Sequence, residues 1–153
     1  MKLTSFTDYS LRVLIYLATE PDRRATIAEI AAAFDVSVNH LTKVVHLLGK
    51  AGLLVTVRGK GGGMGLARDA KLIGLGEVVR LTEGPAMPAE CFDAAHNACP
   101  IAGICRLQRM FGEAVNAFHA VLDQYTLQDL VRNRQALARV MFEGRAPRRA
   151  ATG

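Results

Sequence analysis

Nowhere does this chain run to eighteen consecutive apolar residues, and its N-terminus, MKLTSFTDYSLR, has polar residues where a secretory leader would carry its apolar stretch. Neither a membrane span nor export is expected, and the chain is read as cytoplasmic. Cysteine is absent outside residues 91 to 105. In a reducing compartment, three thiols gathered on one stretch point to metal binding or redox chemistry before cross-linking. Paired carboxylates and nucleophile–base sets that would mark an enzyme are missing, so catalysis is not expected. The last absence is local. From Val36 to Arg68 there is no Asp or Glu, while Lys43, Lys50, Arg58, Lys60 and Arg68 are cationic. Any polyanion would meet this stretch first.

The chain has 153 residues, half of them hydrophobic, enough for one core with a helical extension. Its net charge of +5 is less informative than its distribution, because Arg145, Arg148 and Arg149 lie in the last nine residues and only +2 remains without them.

TDYSLRVLIYLA spaces Leu11, Leu14, Ile15 and Ala18 for a first helix over about 7–19, started by Thr7 and Asp8 and ended by Pro21. Thr26 and Glu29 form a capping box for a short helix through Phe34. After a three-residue turn, Ser37 is placed to cap a third helix that stops at Gly52. On that helix Val38, Leu41, Val44, Val45 and Leu48 share one side. Asn39, Lys43, His46 and Lys50 form the opposite stripe, with His40 flanking it. LLVTVRGKGGGMGLAR then reads as strand, glycine turn and strand, with arms over 53–58 and 64–67. A hairpin directly after a helix-turn-helix is a wing, and it sets the basic tip, Arg58 and Lys60, beside a helix suited to the major groove of DNA. GKGGG is not a phosphate loop, because Met64 and a strand follow it instead of Lys-Ser/Thr and a helix.

LGEVVRLTEG predicts a fourth helix closed by Gly84, so the cysteines fall on a proline-bounded loop. Seven residues separate Cys91 from Cys99 and five separate Cys99 from Cys105. Zinc knuckles use two-residue gaps, whereas these wide gaps suit a larger inorganic body such as an iron-sulfur cluster, with one ligand position left over. Buried structural thiols, a thiol-disulfide switch, and zinc with His96 as fourth ligand remain as alternatives. Beyond them, residues 106–125 predict a helix with Leu107, Met110, Phe111, Ala114, Phe118, Val121 and Leu122 on one side, and Thr126 with Asp129 starts another through Phe142. Such an apolar face needs a second copy of the chain to cover it.

Taken together, LTSFTDYSLRVLIYLA, VNHLTKVVHLLGKAGLLVTVRGKGGGMGLAR, LGEVVRLTEG and CPIAGICRL resemble the NsrR group of nitric-oxide-sensing repressors, within the winged-helix family that also includes IscR. The resemblance covers about residues 1–140 and leaves out the arginine-rich tail. It implies a mainly α protein: a winged helix-turn-helix DNA-binding domain over 1–83, a cluster-binding loop over 84–106 and dimerisation helices over 107–143; outside it, 144–153 is expected to be a disordered basic tail. It implies that Cys91, Cys99 and Cys105 ligate an iron-sulfur cluster of the 4Fe-4S type, with 2Fe-2S as the alternative. The fourth ligand it implies is Asp8 from the other subunit, with Arg12 balancing the site. Where IscR has a ligating histidine, this chain has Leu107. It implies further that a homodimer binds a palindromic double-stranded operator through Ser37, Asn39, His40, Thr42, Lys43, Arg58 and Lys60, and that nitric oxide releases it. One departure concerns the first cysteine gap, which is seven residues here and usually five in the family, so Asp93 and His96 stand as competitors of Asp8. An IscR-like redox-responsive regulator and a zinc or thiol redox switch are the other readings.

Overall fold

The computed structural model describes residues 2–143; the expected basic tail lies outside them. The first helix, α1 (Ser5–Thr19), begins two residues earlier than the sequence predicts. Thr4 is its cap, accepting the N–H of Thr7. Thr7 is thereby freed from capping and is fully buried. Helix α2 (Ile27–Phe34) carries the predicted capping box, with Glu29 reaching back to the Thr26 amide at 2.6 Å. Helix α3 (Val38–Lys50) follows, but Ser37 makes no side-chain cap bond, correcting the role given to its hydroxyl.

Leu41, Val44 and Leu48 of α3 are buried against α1 and α2, as the periodicity requires. Val38 is 48% exposed and does not belong to that face. The chain turns at Gly52, whose φ of +71° is the left-handed conformation that glycine adopts without penalty. Strands β1 (Leu54–Val57) and β2 (Gly63–Leu66) pair antiparallel, Leu54 opposite Leu66 and Val57 opposite Gly63. Gly62 closes the turn; a Cβ there would lie 2.5 Å from the Val57 carbonyl oxygen. The wing is anchored at its base, where Ala25 and Met64 exchange backbone hydrogen bonds of 3.0 and 2.7 Å.

Helix α4 (Leu75–Glu83) ends at Gly84 as predicted, and the cysteine loop leads to α5 (Leu107–Leu122). The single helix expected from Thr126 is broken in two: α6 (Leu127–Leu130), with the predicted Thr126/Asp129 box, and α7 (Arg134–Phe142). The break lets both pieces turn back onto the first helices. Leu127 and Val131 are buried with α1, and the Phe142 ring meets Tyr16 edge-on at 4.9 Å. By contrast α5 has no buried residue in the single chain, and Leu107, Met110 and Val121 are about half exposed. Among the described residues no helix is long and apolar enough to cross a membrane.

Candidate nucleic-acid interface and cysteine loop

Two groups of side chains are candidates for function, and α1 packs on both α3 and α4. The first is the outer face of α3 with the wing. Asn39, His40, Thr42 and Lys43 are all exposed, as are Ser37 before the helix and Arg58 and Lys60 at the wing tip. The Thr42 hydroxyl donates to the Val38 carbonyl at 2.9 Å, so only its oxygen lone pairs are open to an outside donor. Arg68 departs from the expectation. Its guanidinium turns to Glu77 of α4 at 2.6 Å and is not part of the cationic face. What remains is Lys43 and Lys50 on the helix and Arg58 and Lys60 on the wing, exposed and with no acid in the intervening sequence to neutralise them.

The second group is the cysteine loop. Cys91, Cys99 and Cys105 are free and half-buried. The stretches that carry them are tied to one another. The Glu90 carboxylate accepts the Ala98 amide at 2.5 Å, joining the neighbours of Cys91 and Cys99. Gln108 donates to the Cys91 carbonyl at 2.7 Å, joining the first cysteine to the start of α5 beside Cys105. Sulfur of Cys105 accepts the N–H of Leu107 at 3.4 Å, which ties the third cysteine to the first turn of α5. Among the described residues no three His, Cys, Asp or Glu side chains close on a single ion. Three cysteine sulfurs on cross-tied segments are a donor set that would fit a multi-iron body, which takes one ligand per iron and spreads them apart.

The two residues of the longer gap that compete for a ligand role are occupied with each other. His96 Nδ1 and Asp93 Oδ2 are 2.7 Å apart. The hydrogen bond from His96, with the Ala95 amide, holds the Asp93 carboxyl below the usual carboxylate range. Asp8 lies on α1, its Oδ2 2.7 Å from Arg12 Nη2, half exposed. A carboxylate has a second oxygen for a further partner. Arg12 in turn lies over the rings of Tyr9 and Phe34, 5.8 Å from each centroid.

Three contributors had no signal in the sequence. Glu83 at the end of α4 accepts the Thr4 amide at 2.7 Å, the Thr4 hydroxyl at 3.0 Å and the Thr7 hydroxyl, so the root of the cysteine loop grips the start of the helix that carries Asp8. Burial raises the Glu83 pKa, but these hydrogen bonds outweigh it and hold the carboxyl below its ordinary value. Tyr9 stacks on His40, and Gln108 ties the loop. Each pairs residues far apart in the chain or on different helices, which periodicity does not reveal.

Comparison with known proteins adds to this geometry. A family model described as "Rrf2: Iron-dependent Transcriptional regulator" matches residues 3–133. The chain is 49% identical over 142 residues to the HTH-type transcriptional regulator NsrR of Bacillus subtilis, covering 92% of this chain and 97% of that one. It is 46% identical to the NsrR of Shouchella clausii over 138 residues, 90% and 93% of the two chains. Among solved structures it is similar to CymR, the global cysteine regulator of B. subtilis, with a TM-score of 0.71, 27% identity and 87% and 98% of the chains covered. T. potens IscR shares the fold, with a TM-score of 0.71 at 24% identity over 87% and 88% of the chains.

Proposed function

The chain belongs to the Rrf2 family of transcriptional regulators, and from that membership we propose that it is a repressor that senses nitric oxide through an iron-sulfur cluster and leaves its operator when the cluster reacts. It is a regulator and not an enzyme, as its relatives are named. The observation that carries the sensing reading is the cysteine loop: three free thiols on cross-tied segments, rooted through Glu83 on the helix that carries Asp8.

In this reading Cys91, Cys99 and Cys105 hold a 4Fe-4S cluster in one subunit and Asp8 of the partner subunit supplies the fourth ligand. When bound, the cluster supplies an iron that reacts with nitric oxide. Carboxylate oxygen is a poorer match for iron than thiolate, so of the four residues that would hold the cluster Asp8 would be the most weakly held. Without that tie α1 would be released from the partner's loop. Because α1 packs on α3, the change reaches the reading helix. A hundredfold loss of affinity corresponds to about 3 kcal/mol, within reach of one subunit-bridging ligand.

The division of labour follows the sequence: residues 1–83 read DNA, 84–106 hold the cluster, and the exposed apolar face of α5, within 107–143, joins two copies. A homodimer presents two copies of α3 to a palindromic operator. Asn39 and His40 meet base edges, while Ser37, Thr42, Lys43, Arg58 and Lys60 meet phosphates or flanking groove.

The test is anaerobic purification with an absorption spectrum, iron and sulfide analysis, and titration with nitric oxide in the presence of labelled operator. Coloured protein that releases operator as nitric oxide is added is the expected result. Cys99→Ala is expected to be folded, colourless and unable to repress; normal operator binding by that variant would refute the scheme.

A further inference from the structure

The imidazole of His40, on the first turn of α3, lies nearly parallel to the Tyr9 ring of α1, with centroids 6.1 Å apart and an interplanar angle of 20°. That is an offset stack at a distance where aromatic pairs attract. His40 is exposed and sits among the side chains that face outward beside Asn39 and Lys43. Tyr9 is half-buried and its ring also lies 5.8 Å from the Arg12 guanidinium, which is paired with Asp8 at 2.7 Å. Asp8, Arg12, Tyr9 and His40 thus form an unbroken series of contacts from the acid of α1 to the reading helix.

We propose that Tyr9 is a positioning residue for DNA recognition, holding the His40 ring so that this side chain reads the operator only when α1 is in its place. The inference rests on the reading of α3 as the DNA-recognition helix, and it adds a residue to that reading. Its physical basis is rotamer selection. An exposed histidine at the start of a helix has several open rotamers, and reaching a base edge from any one of them costs the entropy of leaving the others. A ring stacked on Tyr9 has already lost that freedom. Because the stack belongs to α1 and the base contact to α3, any displacement of α1 returns His40 to its free rotamers.

The experiment is a double-mutant cycle on the full-length protein. Tyr9→Leu, His40→Ala, the double variant and Tyr9→Phe are titrated against a duplex selected from random DNA by the wild-type protein, and against an unrelated duplex. Tyr9→Leu and His40→Ala are each expected to weaken binding to the selected duplex about three- to tenfold, and the double variant to be no weaker than the weaker single. Tyr9→Phe keeps the stack and should stay within about twofold of wild type, and binding to the unrelated duplex should be unchanged. Losses that multiply in the double variant, or an equal loss on unrelated DNA, overturn the proposal. All four variants are compared in one cluster state, loaded or stripped. A wild type that binds the selected duplex equally in both states defeats the sensing function but leaves this cycle to be read on its own; a wild type that selects no duplex overturns both.

Discussion

The Glu83 carboxylate, at the last turn of α4, accepts the backbone amide of Thr4 at 2.7 Å and so finishes the N-terminus of a helix seventy-nine positions away. Negative charge at a helix start satisfies amides that lack an intrahelical partner and meets the positive end of the helix dipole. Glu83→Ala is therefore expected to lower unfolding free energy by about 1 kcal/mol in urea denaturation. Its carboxyl titrates below the ordinary value in the folded protein. The stabilisation is complete above the unfolded glutamate pKa of about 4.3 and fades as pH falls through the lower folded value. Wild type and Glu83→Ala should then converge in stability as the pH is lowered past that range; a gap that widens on acidification would contradict the sign.

Gly76 makes room for an ion pair. Arg80 and Asp123 meet through two hydrogen bonds of 3.1 and 2.5 Å, linking α4 to the end of α5, and a Cβ on Gly76 would lie 1.8 Å from the Asp123 carboxylate. Gly76→Ala is expected to lower the melting temperature of wild type. In an Asp123→Ala background the same change is expected to raise it, because alanine is favoured over glycine inside a helix by up to about 1 kcal/mol. Destabilisation in both backgrounds would show that the clash is with something other than Asp123.

On the proposed DNA face, Lys43→Ala should weaken binding to all duplexes and reduce the slope of log affinity against log salt by about 0.9 for each lost phosphate contact. Asn39→Ala should instead relax sequence choice with the slope unchanged. Identical slopes for wild type and Lys43→Ala would remove that lysine from the phosphate contacts.

Met110 is 54% exposed on a helix that has no fully buried residue in its own chain. Met110→Glu places a charge on the face assigned to the second copy, and sedimentation is expected to shift from dimer toward monomer while the circular dichroism of the single chain is retained. A variant that sediments as wild type would place the interface elsewhere.

Much of this was legible along the chain, and the reason is locality. Helical periodicity, the capping boxes at Thr26 and Thr126 and the glycine turns at Gly52 and Gly84 involve residues within a few positions of one another, so the order of helices and wing could be read directly. The spacing of Cys91, Cys99 and Cys105 is likewise a property of one segment. Errors fell where a distant partner decides. Thr7 looked like a cap because nothing nearby marks it as buried beneath Glu83. Arg68 looked like part of a cationic face because Glu77 lies outside the acid-free stretch. The last helix looked continuous because the turn between α6 and α7 is set by their packing on α1. The linear order thus determined which elements exist and which chemical groups each one carries. Only the three-dimensional arrangement decided that Tyr9 meets His40 and that the root of the cysteine loop grips the start of α1, since contacts between residues remote in sequence depend on how faces pack and leave no period to detect.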